Sequence, residues 1–128
     1  MIVIDTSAIV AAMIQEPGYR RILDAIARAD KCTISAVSFV EATMVLSRTL
    51  RDPQADLNAY LHGTGISISP LDGDQAKLAQ AAFLAYGKGR HTARLNFGDC
   101  FSYAAAKALN APLLYVGDDF AQTDIRPV

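Results

Sequence analysis

Two cysteines and two histidines are all that this 128-residue sequence contains, and their scarcity removes several chemistries. Cys32 and Cys100 alone build no thiolate metal site and read as buried thiols. His62 and His91 fall in helix-end and loop sequence, so no nucleophile–histidine pair is in place. The net charge of −1 excludes a protein that coats nucleic acid by bulk electrostatics. It leaves room for a nuclease whose basic residues are local. No apolar run is long enough to span a bilayer. The apolar start has no basic leader and is interrupted by Asp5, so no signal peptide is read and a cytoplasmic location is expected. There is no P-loop and no Gly-x-Gly-x-x-Gly. Internal repeats, low-complexity tracts and linkers are also missing.

What is present is a chain that is 52% apolar and 20% charged, enough for one domain over residues 1–128 with its own core. It opens on MIVIDTSAI, an apolar run that reads as a strand buried on both faces. Asp5 stands where that strand ends. There it either serves chemistry, with Thr6 and Ser7 as neighbouring hydroxyls, or N-caps the next helix. A helix over Ser7–Ile14 is broken at Glu16-Pro17-Gly18, and a second helix carries Ile22, Leu23 and Ile26 at helical spacing. CTIS (Cys32–Ser35) reads as a strand, and Ser35 caps a long helix, Ala36–Leu50. In that helix Glu41 interrupts an apolar face formed by Val37, Met44 and Val45. A charge there is costly unless it is paired, bound to a cation or able to reach water.

Asp52-Pro53 opens the next helix, ending near His62-Gly63. Ile66–Ser69 alternates and meets Pro70, as an edge strand does. Asp72 and Gln75 resemble a capping box for a helix through Tyr86, with Gly87 after its end. The loop Gly87–Leu95 gathers Lys88, Arg90, His91 and Arg94 between two glycines. It is expected to be mobile, and Arg90 and Arg94 are candidates to hold a phosphate backbone. Asn96 caps a helix to about Leu109, with Asp99 at the returning position of the cap. LLYV (Leu113–Val116) reads as a last buried strand, ending in Asp118-Asp119. Strands alternating with helices predict an α/β fold, a central parallel β-sheet flanked by helices on both faces.

Asp5, Glu41, Asp99 and the Asp118-Asp119 pair each have a structural explanation alone. Together they predict a carboxylate cluster at one edge of the sheet. Packed carboxylates resist joint ionisation, and Mg²⁺ or Mn²⁺ relieves this. Such ions use one or two carboxylates plus waters and phosphate oxygens.

MIVIDTSAI, SAVSFVEA, GRHTARLNFGDCFSYAAAK and LLYVGDDFAQTDI resemble PIN-domain ribonucleases, specifically VapC-type toxins, in the family's order over nearly the whole chain. The resemblance implies a Mg²⁺-dependent endoribonuclease, with Mn²⁺ as a possible substitute. It implies a site of Asp5, Glu41, Asp99 and one or both of Asp118 and Asp119, with Asp5 and Asp99 as principal metal ligands. Thr6, Ser7, Arg90 and Arg94 are candidate RNA contacts. It also implies a homodimer and inhibition by a VapB-type antitoxin. Thr92 stands where relatives often have proline, so a less rigid loop is expected before Asp99. Two other readings are an aspartyl phosphatase using Asp5, weakened by Ser7 standing where an acid belongs, and a receiver-like or scaffold domain that binds Mg²⁺ without hydrolysis. The second leaves Glu41 without a purpose.

Overall fold

The computed structural model describes residues Met1–Val128. Strand β1 (Ile2–Ile4) is β-branched throughout and buried along its length, as a strand covered on both faces must be. It pairs in parallel with β2 (Cys32–Ser35), and β2 pairs in parallel with β3 (Ile66–Ser69). On its other side β1 takes β4 (Leu113–Leu114), also parallel, giving the order β3-β2-β1-β4. Helices cover both faces. Ile2, Ile4, Ile34 and Leu114 pack against α1 (Thr6–Ile14), α2 (Tyr19–Arg28), α3 (Ala36–Leu46) and α4 (Pro53–Thr64). Val3 and Leu113 pack against α5 (Gly73–Tyr86) and α6 (Phe97–Ala108). The expected sheet and its two helical layers are present. Strand order reverses beside β1, which opens a crevice at the carboxyl ends of β1 and β4.

Several boundaries differ from expectation, each for a local reason. Helix α3 stops at Leu46 rather than Leu50. The Ser47 hydroxyl donates to the Met44 carbonyl at 2.6 Å, and Arg48 and Thr49 donate three residues back, tightening and ending the ladder. Strand β4 has two residues, not four. The Val116 N–H goes to the Ser7 hydroxyl at 3.0 Å instead of to a strand. Strand β3 is the expected edge, with Ile66 and Ser69 buried and Ser67 and Ile68 exposed. Half of the capping box at α5 forms. Asp72 accepts from the Gln75 N–H at 2.8 Å, while the Gln75 side chain turns to Ser69 at 3.4 Å.

The 87–95 loop is tied down rather than loose. Lys88 donates to the Leu95 carbonyl at 2.9 Å, and Leu95 to the Tyr86 carbonyl at 3.0 Å. His91 Nδ1 accepts from the Ala93 N–H at 3.0 Å, and Ala93 and Leu95 are buried. Thr92, standing in the place of proline, donates to Gln122 at 2.5 Å. Gly87 is in extended backbone, φ −67°. It must be glycine because a Cβ would overlap the Phe83 carbonyl and ring.

Candidate active site

The crevice at the strand ends is a cavity of about 340 Å³ lined by Asp5, Thr6, Ser7, Glu16, Glu41, Asn96, Asp99 and Asp119, with Val10, Val45 and Val116. Five of these are acids and none is basic. The two ion pairs of the molecule, Met1 with Asp30 and Lys107 with Asp124, involve none of them.

Asp5 is 3% exposed and lines the cavity. It N-caps α1, its Oδ2 accepting from the Ser7 N–H at 3.0 Å and the Ser7 hydroxyl at 2.6 Å. Its Oδ1 accepts from the Ser102 hydroxyl at 2.5 Å. A carboxylate has about four lone-pair sites, so Oδ1 keeps one for a further partner. Asp99 likewise completes the capping box of α6. Its N–H donates to Asn96 Oδ1 at 2.9 Å, and its Oδ2 accepts from the Asn96 N–H at 3.0 Å. The other oxygen has no protein donor.

Glu41 reaches across from α3 to α6 and lays its carboxylate against the Cα of Gly98, where any Cβ would overlap it. This places the charge over the first turn of α6, where the helix dipole favours an anion. Glu41 therefore sits at the edge of its apolar face; Met44, one of its expected companions, is 66% exposed. Asp119 lines the cavity and its neighbour Asp118 does not. Burial first, and then Asp5, Asp119 and Glu41, push the Asp99 carboxyl up to about 7. Backbone donation from Asn96 opposes the rise.

No three His, Cys, Asp or Glu side chains form a ready-made chelate. Mg²⁺ takes one or two carboxylates and fills its octahedron with waters and phosphate oxygens. The donor set is all hard oxygen, uncompensated by any cation, and fits such an ion.

A family model described as the PIN domain matches residues 2–126. This chain belongs to the PIN-domain family. Within it, the relatives are VapC ribonucleases. The chain is 42% identical to Ribonuclease VapC of Mycolicibacterium smegmatis, covering 98% of each chain. It is 43% identical to Ribonuclease VapC30 of Mycobacterium tuberculosis, covering 98% of this chain and 97% of that one. Among solved structures, it resembles the sarcin-ricin-loop-cleaving toxin VapC20 of Mycobacterium tuberculosis with a TM-score of 0.81 at 17% identity. That likeness covers 100% of this chain and 98% of the other. VapBC2 of Rickettsia felis, solved with a DNA fragment from its promoter, matches with a TM-score of 0.76 at 17% identity, over 99% and 96% of the two chains. PIN-domain membership displaces the phosphatase and receiver readings, and VapC nucleases are generally metal-dependent.

The PIN-domain cavity gathers Asp5, Glu41, Asp99 and Asp119 of the acids anticipated from sequence. Thr6 and Ser7 line it too, but their hydroxyl hydrogens are committed, Thr6 to the Ser38 carbonyl at 3.3 Å and Ser7 to Asp5. Neither hydroxyl hydrogen is left free toward the cavity. Arg90 and Arg94 are outside it. They line a separate polar hollow with Gly89, His91 and Thr92, because the pinned loop turns them away from the strand ends. Two residues escaped the sequence reading. Gly98 is visible only as a glycine inside a helix's first turn. Glu16 follows Gln15, a left-handed residue at φ 55° that ends α1; its sequence reads simply as a helix breaker.

Proposed function

We propose that this chain is a Mg²⁺-dependent endoribonuclease, with Mn²⁺ as an alternative ion, and the toxin of a toxin–antitoxin pair. The observation that carries the reading is the convergence of Asp5, Glu41, Asp99 and Asp119 on one cavity without a cation, where burial first and the neighbouring acids after it push the Asp99 carboxyl up to about 7. Asp5 and Asp99 would hold the ion, since each keeps a lone pair unused by its cap. When bound, such an ion lowers the pKa of water and offsets charge on the phosphodiester. Asp5 is held rigid by three donors. Asp99 would hold the ion as the carboxylate, through the oxygen its cap leaves without a donor. Glu41, whose carboxylate has no protein donor, would take a proton from the attacking water. Asp119, rather than Asp118, is the fourth acid.

Lys88, Arg90 and Arg94 are all exposed and none is ion-paired. That supports a role in holding the RNA backbone away from the cleavage point. The antitoxin is a VapB-type protein, supported by the cavity's want of a cation: an arginine can pair bidentately with such carboxylates. A homodimer is supported by the apolar cleft of about 480 Å³ between α5 and α6, lined by Phe83, Phe97 and Phe101. Phe97 there is 74% exposed. The test is incubation of the purified protein with mixed cellular RNA, with Mg²⁺ and with EDTA, alongside Asp5→Asn and Asp99→Asn. Cleavage by the wild type with Mg²⁺ only, and by neither variant, is expected. Undiminished cleavage by either folded variant overturns the assignment.

A further inference from the structure

Beneath the carboxylates lies a buried chain of hydroxyls that the proposed chemistry does not use directly. Ser38 and Ser102 are both 0% exposed, and their Oγ atoms are 2.8 Å apart. Ser102 Oγ lies 2.5 Å from Asp5 Oδ1. An ionised carboxylate only accepts, and a serine has one hydrogen to give. Ser102 therefore donates to Asp5, and Ser38 donates to Ser102. The direction of the relay is fixed: Ser38, Ser102, Asp5. No buried side-chain oxygen or nitrogen in the molecule lacks a partner, so the relay is fully satisfied.

Its placement repeats on two elements. Ser38 precedes Glu41 by three residues on α3, and Ser102 follows Asp99 by three on α6. Residues three apart are neighbours on a helix face. Each helix thus presents one carboxylate to the cavity and one hydroxyl to the relay below it. The relay ends on Asp5, between β1 and α1. It ties together the three elements that carry Asp5, Glu41 and Asp99, and orients Asp5 through the oxygen that keeps a free lone pair.

We infer that Ser102 is a positioning residue for the Asp5 carboxylate as a metal ligand, and that Ser38 orients Ser102 in turn. This rests on the metal-dependent reading of the cavity. Partners that orient a ligand from behind commonly affect metal affinity 10- to 100-fold.

The test is Mn²⁺ binding by electron paramagnetic resonance titration, with RNA cleavage measured alongside. Wild type, Ser102→Ala, Ser102→Thr and Ser38→Ala are compared, each checked for folding by circular dichroism. Ser102→Ala is expected to weaken Mn²⁺ binding at least tenfold and to raise the Mg²⁺ needed for half-maximal cleavage in parallel. Ser38→Ala, which leaves the direct donor in place, has a smaller effect of the same sign. Ser102→Thr, which restores the hydroxyl, recovers affinity. A folded Ser102→Ala that binds Mn²⁺ like the wild type reduces the relay to core packing and overturns the inference alone. If Ser102→Ala does not fold, Ser38→Ala decides: unchanged Mn²⁺ affinity overturns the inference, and weakened affinity upholds it. Wild-type protein that binds no Mn²⁺ overturns the metal reading and the relay's role with it.

Discussion

Asp99 concentrates the electrostatic conflict of the site in one side chain. Its carboxyl titrates at about 7 when folded, against an ordinary carboxylate value near 3.9 in the unfolded chain. An acid raised on folding holds its proton more tightly in the native state. Its stabilising contribution is complete below about pH 3.9 and is lost as pH rises through about 7. Metal-free protein should therefore lose stability across that window, by up to ~1.4 kcal/mol per pH unit, relative to Asp99→Asn. Asparagine retains an oxygen to accept from the Asn96 N–H, so the cap survives. Urea titrations of both proteins in EDTA at about pH 5 and about pH 8 check this; a gap in stability that stays constant would show that Asp99 is not coupled to folding. Glu41→Gln keeps volume and drops charge, losing the favourable α6 dipole but relieving repulsion among the neighbouring acids. It should remove most cleavage yet leave the metal-free protein as stable as wild type, or more stable by ~1 kcal/mol. Thermal melts with EDTA and then Mg²⁺ check it, with Mg²⁺ raising the wild type further.

Between elements, the contact that sets the site is the one between α3 and α6, where Glu41 crosses to Gly98. Gly98 has no unusual φ, so alanine is conformationally acceptable there and, in a helix, locally favoured. Its Cβ would nevertheless displace the Glu41 carboxylate. Gly98→Ala should fold normally and lose at least ~10-fold in kcat. In a Glu41→Ala background it should cost nothing further, a non-additivity that a double-mutant cycle measures. Equal losses in both backgrounds would place the effect elsewhere. The same contact shows where sequence reading stops. Asp5, Asp99 and their caps were legible because strand ends and capping boxes are local patterns. The α3–α6 crossing is not local, so Glu41 was recognised as a misfit without its partner, and Gly98 passed unnoticed. That Asp119 lines the cavity and Asp118 does not depends on the turn into a short 3₁₀ helix at Phe120–Gln122, which the strand pattern does not specify. Loop 87–95 failed in the other direction: two glycines suggested mobility, whereas the side-chain and backbone bonds that pin it join residues no simple period relates. Its charges remain exposed, so Arg90→Gln with Arg94→Gln should lessen the salt dependence of RNA binding by about 0.7 in log–log slope for each phosphate no longer neutralised. Affinity measured across a salt series checks this, and an unchanged slope removes the loop from the RNA path.

Over the whole molecule, a net charge of −1 conceals a separation of sign. Five acids line one cavity and a run of exposed cations occupies the 87–95 loop. The fold supports this separation by bringing the ends of β1 and β4 together while sending the loop to another face. It does so on a backbone shared at a TM-score of 0.81 with a chain only 17% identical, so the scaffold tolerates wide sequence change while strand order sets the place of the cavity. A cavity of this kind invites a cation from whichever source is present. Mg²⁺ should stabilise the free protein, because an ion that binds only the folded state raises its melting temperature. If the proposed antitoxin inserts a basic side chain among Asp5, Glu41, Asp99 and Asp119, that place is taken. The complex should then melt at the same temperature with Mg²⁺ as with EDTA, and should not cleave RNA. Antitoxin lacking the segment that carries that basic side chain should still leave the Mg²⁺ shift visible and inhibit poorly. Differential scanning calorimetry on the free toxin and both complexes provides the comparison. A full complex that gains as much from Mg²⁺ as the free protein would mean that inhibition acts away from the carboxylates.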